Sequence, residues 1–185
     1  KLFADWVADA ENGFVCPDGS SKNGALYVGE GIFTLDLNGY TLDRNAPKDK
    51  FYSTVLYVED CTFTLVDTSE AKTGTITGGC AEYGGGIYAE DCTLYINGGN
   101  IIENKSKYGG GVYSSDTVGY MNGGVVADNE SRFGGGIYTK YYSFTMNDGL
   151  IARNSAQAGG GIRIAGNENL FTMNGGIIEE NYSNE

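Results

Sequence analysis

The chain has 185 residues, with 24 acidic against 12 basic side chains, a net charge of −12, 30 glycines, 14 tyrosines and no histidine. That length suits one domain or one array of coils, and the glycine and aromatic content speaks against helices and for pleated strands. The acidic balance argues against nucleic-acid binding, which needs a basic surface to neutralise phosphates, and disfavours anionic membranes; the lack of histidine excludes His-dependent triads and His-containing zinc sites.

At the N-terminus, Leu2, Phe3, Trp6, Val7 and Ala10 recur at helical spacing, which predicts a short helix over Lys1–Asn12 capping one end of a core. A loop through Cys16-Pro17-Asp18-Gly19 follows, so residues 1–25 read as cap and connection and residues 26–185 as the body. Residues 43–52 and 67–73 lengthen the first two units and are expected to protrude as loops. No run of apolar residues is long enough to cross a membrane as a helix. A chain that opens on Lys1 rather than Met, with no signal sequence, reads as a processed export product or a trimmed piece.

From there a phrase returns every 25 residues. Gly-Gly-Gly-apolar stands at Gly84–Ile87, Gly109–Val112, Gly134–Ile137 and Gly159–Ile162. A second phrase follows each: Asn97–Ile101–Asn104, Asn122–Val126–Asn129, Asn147–Ile151–Asn154 and Asn174–Ile178–Asn181. Aligned on these phrases, Leu26, Leu56, Ile87, Val112, Ile137 and Ile162 form one apolar column. Phe33, Phe63, Leu94, Gly119, Phe144 and Phe171 form a second, and Ile76, Ile101, Val126, Ile151 and Ile178, joined by Leu42, a third. Apolar and polar positions alternate with period two, as strands with one buried face require. Self-similarity at such a period means stacked units. The expected fold is therefore all-β: a right-handed parallel β-helix of about six coils with three short strands each and glycine or asparagine at the corners. Asn104, Asn129 and Asn181 begin Asn-x-Ser sequons, but Asn154 continues their column without being one, so the column reads as a corner ladder rather than as glycosylation sites.

Four cysteines, Cys16, Cys61, Cys80 and Cys92, form no CxxC pair. Cys61 and Cys92 fill the same place in two copies of Glu-Asp-Cys-Thr and read as small apolar residues stacked in a core.

Gly-Gly-Gly-Ile and apolar-x-x-Asn resemble the GGAI and FxxN repeats of chlamydial polymorphic outer-membrane proteins, with Ile or Val here in place of the Phe. More broadly they resemble the glycine-rich β-helix repeats of large bacterial surface proteins. Leu35–Leu42 followed by Gly74–Gly79 is similar to the opening coils of pectate-lyase-like surface proteins. The resemblance covers roughly residues 26 to 181 and implies an extracellular or cell-surface role, often adhesion.

Two columns could carry chemistry. Glu30, Asp60, Asp91 and Asp116 occupy one repeat position in four successive coils; carboxylates stacked about 4.8 Å apart are either screened by solvent and salt or bridged by a hard cation such as calcium. Tyr27, Tyr57, Tyr88, Tyr113 and Tyr138 form a column that either presents a flat aromatic strip to sugar rings or stabilises the stack through ring contacts. Tyr95 and Tyr120 lie on a neighbouring face, where they interrupt the Thr34, Thr64, Thr145, Thr172 column and weigh against an ice-ordering threonine array. The functional expectation is a non-catalytic surface module for glycan adhesion or structural display, without a cofactor other than calcium. The alternative is a polysaccharide lyase or glycoside hydrolase using Asp60, Asp91 or Asp116. The last coil stops at Asn181–Glu185 before another Gly-Gly-Gly. Its edge is expected either to continue, to meet a second copy end to end, or to be blunted by Glu179, Glu180 and Glu185.

Overall fold

Period-two burial along each repeat demands sheet, and sheet is what forms. The computed structural model describes residues 1–7, 24–47, 51, 53–167 and 169–184. Among these the fold is all-β, with no helix and so none that could cross a membrane, and every pairing between strands is parallel. Each strand hydrogen-bonds to its counterpart in the next repeat, so a residue's neighbour across the sheet is its equivalent one repeat away.

Four strand columns result. The first runs through Leu26–Gly29, Leu56–Glu59, Ile87–Glu90, Val112–Ser115, Ile137–Lys140 and Ile162–Ala165. The second pairs Phe33, Phe63, Leu94, Gly119, Phe144 and Phe171 in one register. The third carries Leu42, Ile76, Ile101, Val126, Ile151 and Ile178. The fourth, which the repeat pattern did not predict, consists of Cys80–Tyr83, Lys105–Tyr108, Glu130–Phe133, Ser155–Ala158 and Tyr182–Ser183. Its inward residues are Ala81, Ser106, Ser131 and Ala156, too small and polar to read as a core stripe, and the charged neighbours Lys105, Lys107, Glu130 and Arg132 gave it the look of a linker.

The inward columns meet in a continuous core. Leu56, Ile87, Leu94, Ile96, Ile101, Val126, Ile137, Phe144 and Ile151 are fully buried, each such side chain contributing roughly 1.5–3 kcal/mol over exposure. Gly119 breaks the second column without leaving a hole, because the Phe144 ring fills the space: a Cβ on residue 119 would lie 2.4 Å from that ring.

The corners explain the repeated phrases. Gly109 takes φ +66°, and a Cβ on Gly110 would sit 2.3 Å from the Gly135 carbonyl oxygen, so successive backbones pass too closely for any side chain. The Asn column is a buried amide ladder. Asn104 donates from its backbone amide (3.0 Å) and from Nδ2 (3.1 Å) to Asn129 Oδ1. Asn129 repeats both bonds to Asn154, and Asn154 to Asn181. Nδ2 of each also caps a third-column carbonyl, Asn129 on Ile101 at 2.9 Å for example. Asn104, Asn129 and Asn154 are buried by this arrangement, which closes the sequons at Asn104 and Asn129 to glycosylation, while Asn181 at the end of the ladder is half-buried.

The predicted N-terminal helix is not seen. Trp6–Val7 is instead a strand paired in parallel with Leu42–Asp43, where the open edge of the third column satisfies its backbone; residues 8–12 of the expected helix and the Cys16–Gly19 loop lie outside the described residues. Of the two predicted loops, residues 68 and 70–73 are exposed around a buried Asp67, whose carboxylate accepts from the amides of Gly39 (2.8 Å), Ser69 (3.1 Å) and Gly74 (2.7 Å). Residues 48–50 and 52 of the other lie outside the described residues.

Candidate functional site

The tyrosine column exists as a column but not as an exposed strip. Ring centroids of Tyr27–Tyr57, Tyr57–Tyr88, Tyr88–Tyr113 and Tyr113–Tyr138 lie 5.6, 4.6, 5.2 and 5.5 Å apart. Yet Tyr57 and Tyr113 are only 1% and 3% exposed. From Tyr88 onward the cover is a second aromatic column at the end of the fourth strand. Tyr83 packs on Tyr88 and Tyr113 (6.0 and 4.9 Å), Tyr108 packs on Tyr138 (5.5 Å), and Phe133 continues the line with the Arg163 guanidinium 4.7 Å above its ring. Of the two expectations for Tyr27, Tyr57, Tyr88, Tyr113 and Tyr138, the stabilising ring contacts are present; Tyr57 and Tyr113 are closed to a sugar ring, whereas Tyr27, Tyr88 and Tyr138 are half-buried. The overlooked signal is the residue before the first three glycine triplets, Tyr83, Tyr108 and Phe133; Ala158 precedes the fourth.

The hydroxyls of the column are used internally as well. Tyr27 donates to Glu59 at 2.7 Å, and Tyr88 to Glu90 at 3.0 Å. The Tyr57 hydroxyl lies 2.6 Å from Glu59 and 2.9 Å from Glu90. Burial first, then these carboxylates, push the Tyr57 and Tyr88 phenols far above their ordinary value, so both remain protonated donors.

The acidic column sits on the corner between the first and second strand columns. Glu30, Asp60, Asp91 and Asp116 all have positive φ, between 44° and 51°, and the same corner is continued by Tyr141 at 68° and Gly166 at 105°. Aspartate tolerates this left-handed region better than most residues, which explains Asp60, Asp91 and Asp116 on backbone grounds, though not Glu30. The carboxylates face solvent in a line: burial first, then the charges of Asp116, Glu90, Asp60 and Glu59, raise the Asp91 carboxyl above its usual range. Among the described residues no three Cys, Asp or Glu side chains converge to hold a metal, so the calcium set Glu30, Asp60, Asp91 and Asp116 forms a row, not a coordination cage. A shallow groove follows this row past Cys61, Cys92 and Thr62 and runs into a second depression formed by Asp116, Tyr141, Tyr142 and Asn167. Tyr141 and Tyr142 are about half exposed, and Lys140 lies 4.6 Å over the Tyr141 ring.

Cys61 and Cys92 are buried and carry no disulfide, as small core residues would. Burial pushes the Cys92 thiol up to about 12, even though the Thr117 hydroxyl lies 3.6 Å from its sulfur, so it is an unreactive thiol at neutral pH. Cys16 lies outside the described residues.

A third array emerges on the outside of the second and third strand columns. Tyr95 and Tyr120 stack at 5.0 Å with ring planes 9° apart, both half-buried. Beside them, Asn122 Nδ2 donates to Asn97 Oδ1 at 2.8 Å, Asn147 to Asn122 at 2.7 Å, and Asn174 to Asn147 at 2.8 Å. These four asparagines are exposed, in contrast to the buried corner ladder.

No protein-family model, no curated protein and no solved structure matches this chain.

Proposed function

We propose that the parallel stack is a right-handed parallel β-helix of about six coils, displayed outside the cell as a non-catalytic module for adhesion or structural display. The observation that carries this reading is the repeat-to-repeat register, kept along each strand column and interrupted in the Val118–Ala127 and Ser143–Ala152 pair only at Asn122, which lies opposite Asp148. A rigid stack in which residue equivalents recur on every rung presents periodic side-chain arrays along its flanks, suited to an extended partner rather than to a small substrate held in a closed pocket. The glycine-rich repeat resemblance supports the extracellular setting, and the net charge of −12 supports a partner that is neither nucleic acid nor an anionic membrane. The test is binding of the purified chain to an array of plant, host and bacterial glycans, together with a panel of extracellular proteins. Binding in neither overturns adhesion and leaves display alone.

A polysaccharide-cleaving enzyme is the second reading, favoured by one observation: the Asp60–Asp91–Asp116 row lines a groove that ends in the exposed Tyr141 and Tyr142. Incubation with polysaccharides decides it. New reducing ends or an unsaturated product that vanish in Asp91→Asn establish the enzyme; intact polymer removes it.

A further inference from the structure

We infer that the outward face of the second and third strand columns, centred on Tyr95, Tyr120 and the Asn97–Asn122–Asn147–Asn174 ladder, binds a neutral polysaccharide chain. The inference rests on the adhesion reading above and moves its ligand from the covered tyrosine column to this face.

Hydrogen-bond capacity is the first reason. An asparagine amide has two N–H donors and an oxygen with two lone pairs. The ladder bonds use one N–H and one lone pair of Asn122 and Asn147, which leaves each of these exposed amides one donor and one acceptor directed away from the ladder. The hydroxyls of Tyr95 and Tyr120 make no hydrogen bond among the described residues, whereas those of Tyr27, Tyr57 and Tyr88 are taken up by Glu59 and Glu90. The face therefore offers a repeating set of unpaired donors and acceptors beside two half-exposed aromatic rings, the combination by which a polyhydroxylated ring is held.

Charge is the second reason, and it selects the ligand. In a chain of net −12, the outward positions of the second column from the second coil onward, with Tyr95, Tyr120, Thr64, Thr145 and Thr172 among them, carry no charge at all. Asp148 adjoins the ladder and accepts from the Gly149 amide at 2.8 Å. An acidic polysaccharide would be repelled by the surrounding carboxylates and find no cation at these outward positions of the second column; a cationic one would be drawn to the acidic corner instead. A neutral polymer meets neither penalty. Periodicity is the third reason: successive rungs lie about 4.8 Å apart, so two rungs span about 9.6 Å, the length scale of a disaccharide, and a polymer can repeat one contact along the stack.

The experiment is native gel electrophoresis of the whole chain through gels containing mixed-linkage β-glucan, xyloglucan or galactomannan, and through gels containing polygalacturonate or heparin. Retardation by at least one neutral polymer and by neither acidic one is expected. Tyr95→Ala/Tyr120→Ala is expected to weaken that retardation about tenfold or more in apparent Kd, with circular dichroism reporting the fold. Should the double alanine variant not fold, Tyr95→Phe/Tyr120→Phe keeps the ring stack and removes only the hydroxyls, and a loss of affinity is still expected. No retardation by any of the three neutral polymers, equal retardation by an acidic one, or unchanged affinity in the folded variants overturns the inference. Glycan-array binding that survives both variants leaves adhesion standing while this face is dismissed; an array with no bound glycan removes glycan adhesion itself.

Discussion

At the scale of single residues, the corner asparagines hold more backbone than any other side chain type in this fold. Asn129 accepts two bonds from Asn104 and gives its Nδ2 to Ile101 and Asn154. Asn129→Ala strands the buried Asn104 amide and the Ile101 carbonyl at once. We expect a loss of roughly 2–4 kcal/mol in denaturant unfolding, and intact-mass spectrometry of secreted protein should find no glycan at Asn104 or Asn129. Asp36 makes a pH prediction. Burial alone would raise its carboxyl, but the Thr68 hydroxyl and amide, the Asn38 amide and Lys1 outweigh this and bring it to about 2. Its folded value lies below the unfolded value of about 3.9, so its contribution is complete above that pH and is lost as pH falls toward and through the folded value. The Tm from thermal melts between these limits should fall with acid in the parent chain and depend less on pH in Asp36→Asn.

At the scale of elements, the fourth strand decides what the first strand's tyrosines do. Tyr113 is buried against Tyr83, Tyr88 and Tyr138. Tyr113→Ala should therefore act as a core deletion, costing about 3–5 kcal/mol, while Tyr95→Ala on the half-exposed pair should cost distinctly less. Paired chemical melts check this, and equal small losses would mean that Tyr113 is not packed as described. The column itself could be read from the repeat, because Tyr27 to Tyr138 fall at one position of one phrase. Its burial could not. It depends on Tyr83 and Tyr108, which are distant in repeat position and become neighbours only when the Gly-Gly-Gly corner folds the end of the fourth strand against the outside of the first. The acidic column shows the reverse case: its alignment was legible, and its cause, a left-handed corner shared with Tyr141 and Gly166, is a backbone fact that no side-chain pattern displays.

At the scale of the whole molecule, the stack has an open edge at its last described coil. Leu170 is 63% and Ile177 54% exposed, with Phe171, Met173 and Ile178 beside them no longer sealed as their equivalents are in the interior. For the 185-residue chain taken by itself, we propose that this edge accepts a further rung from a second copy, giving head-to-tail association opposed by Glu179 and Glu180. Light scattering should then show mass growing with protein concentration, more strongly at high salt, which screens those charges, and Ile177→Lys should abolish it. A monodisperse monomer under all conditions overturns the association. What the amino-acid sequence determined by itself was the repeat, its inward columns and the asparagine corners, because each depends on contacts between equivalent residues, which any regular stack must superimpose. The tertiary structure alone decided which outward columns meet solvent, that a small-residue strand adds a fourth column to each repeat, and that the N-terminal segment pairs as sheet. Burial of an outward column depends on contacts between non-equivalent residues across the corners, while the fourth strand and the N-terminal pairing rest on backbone hydrogen bonds; a pattern of apolar side chains carries no information about either.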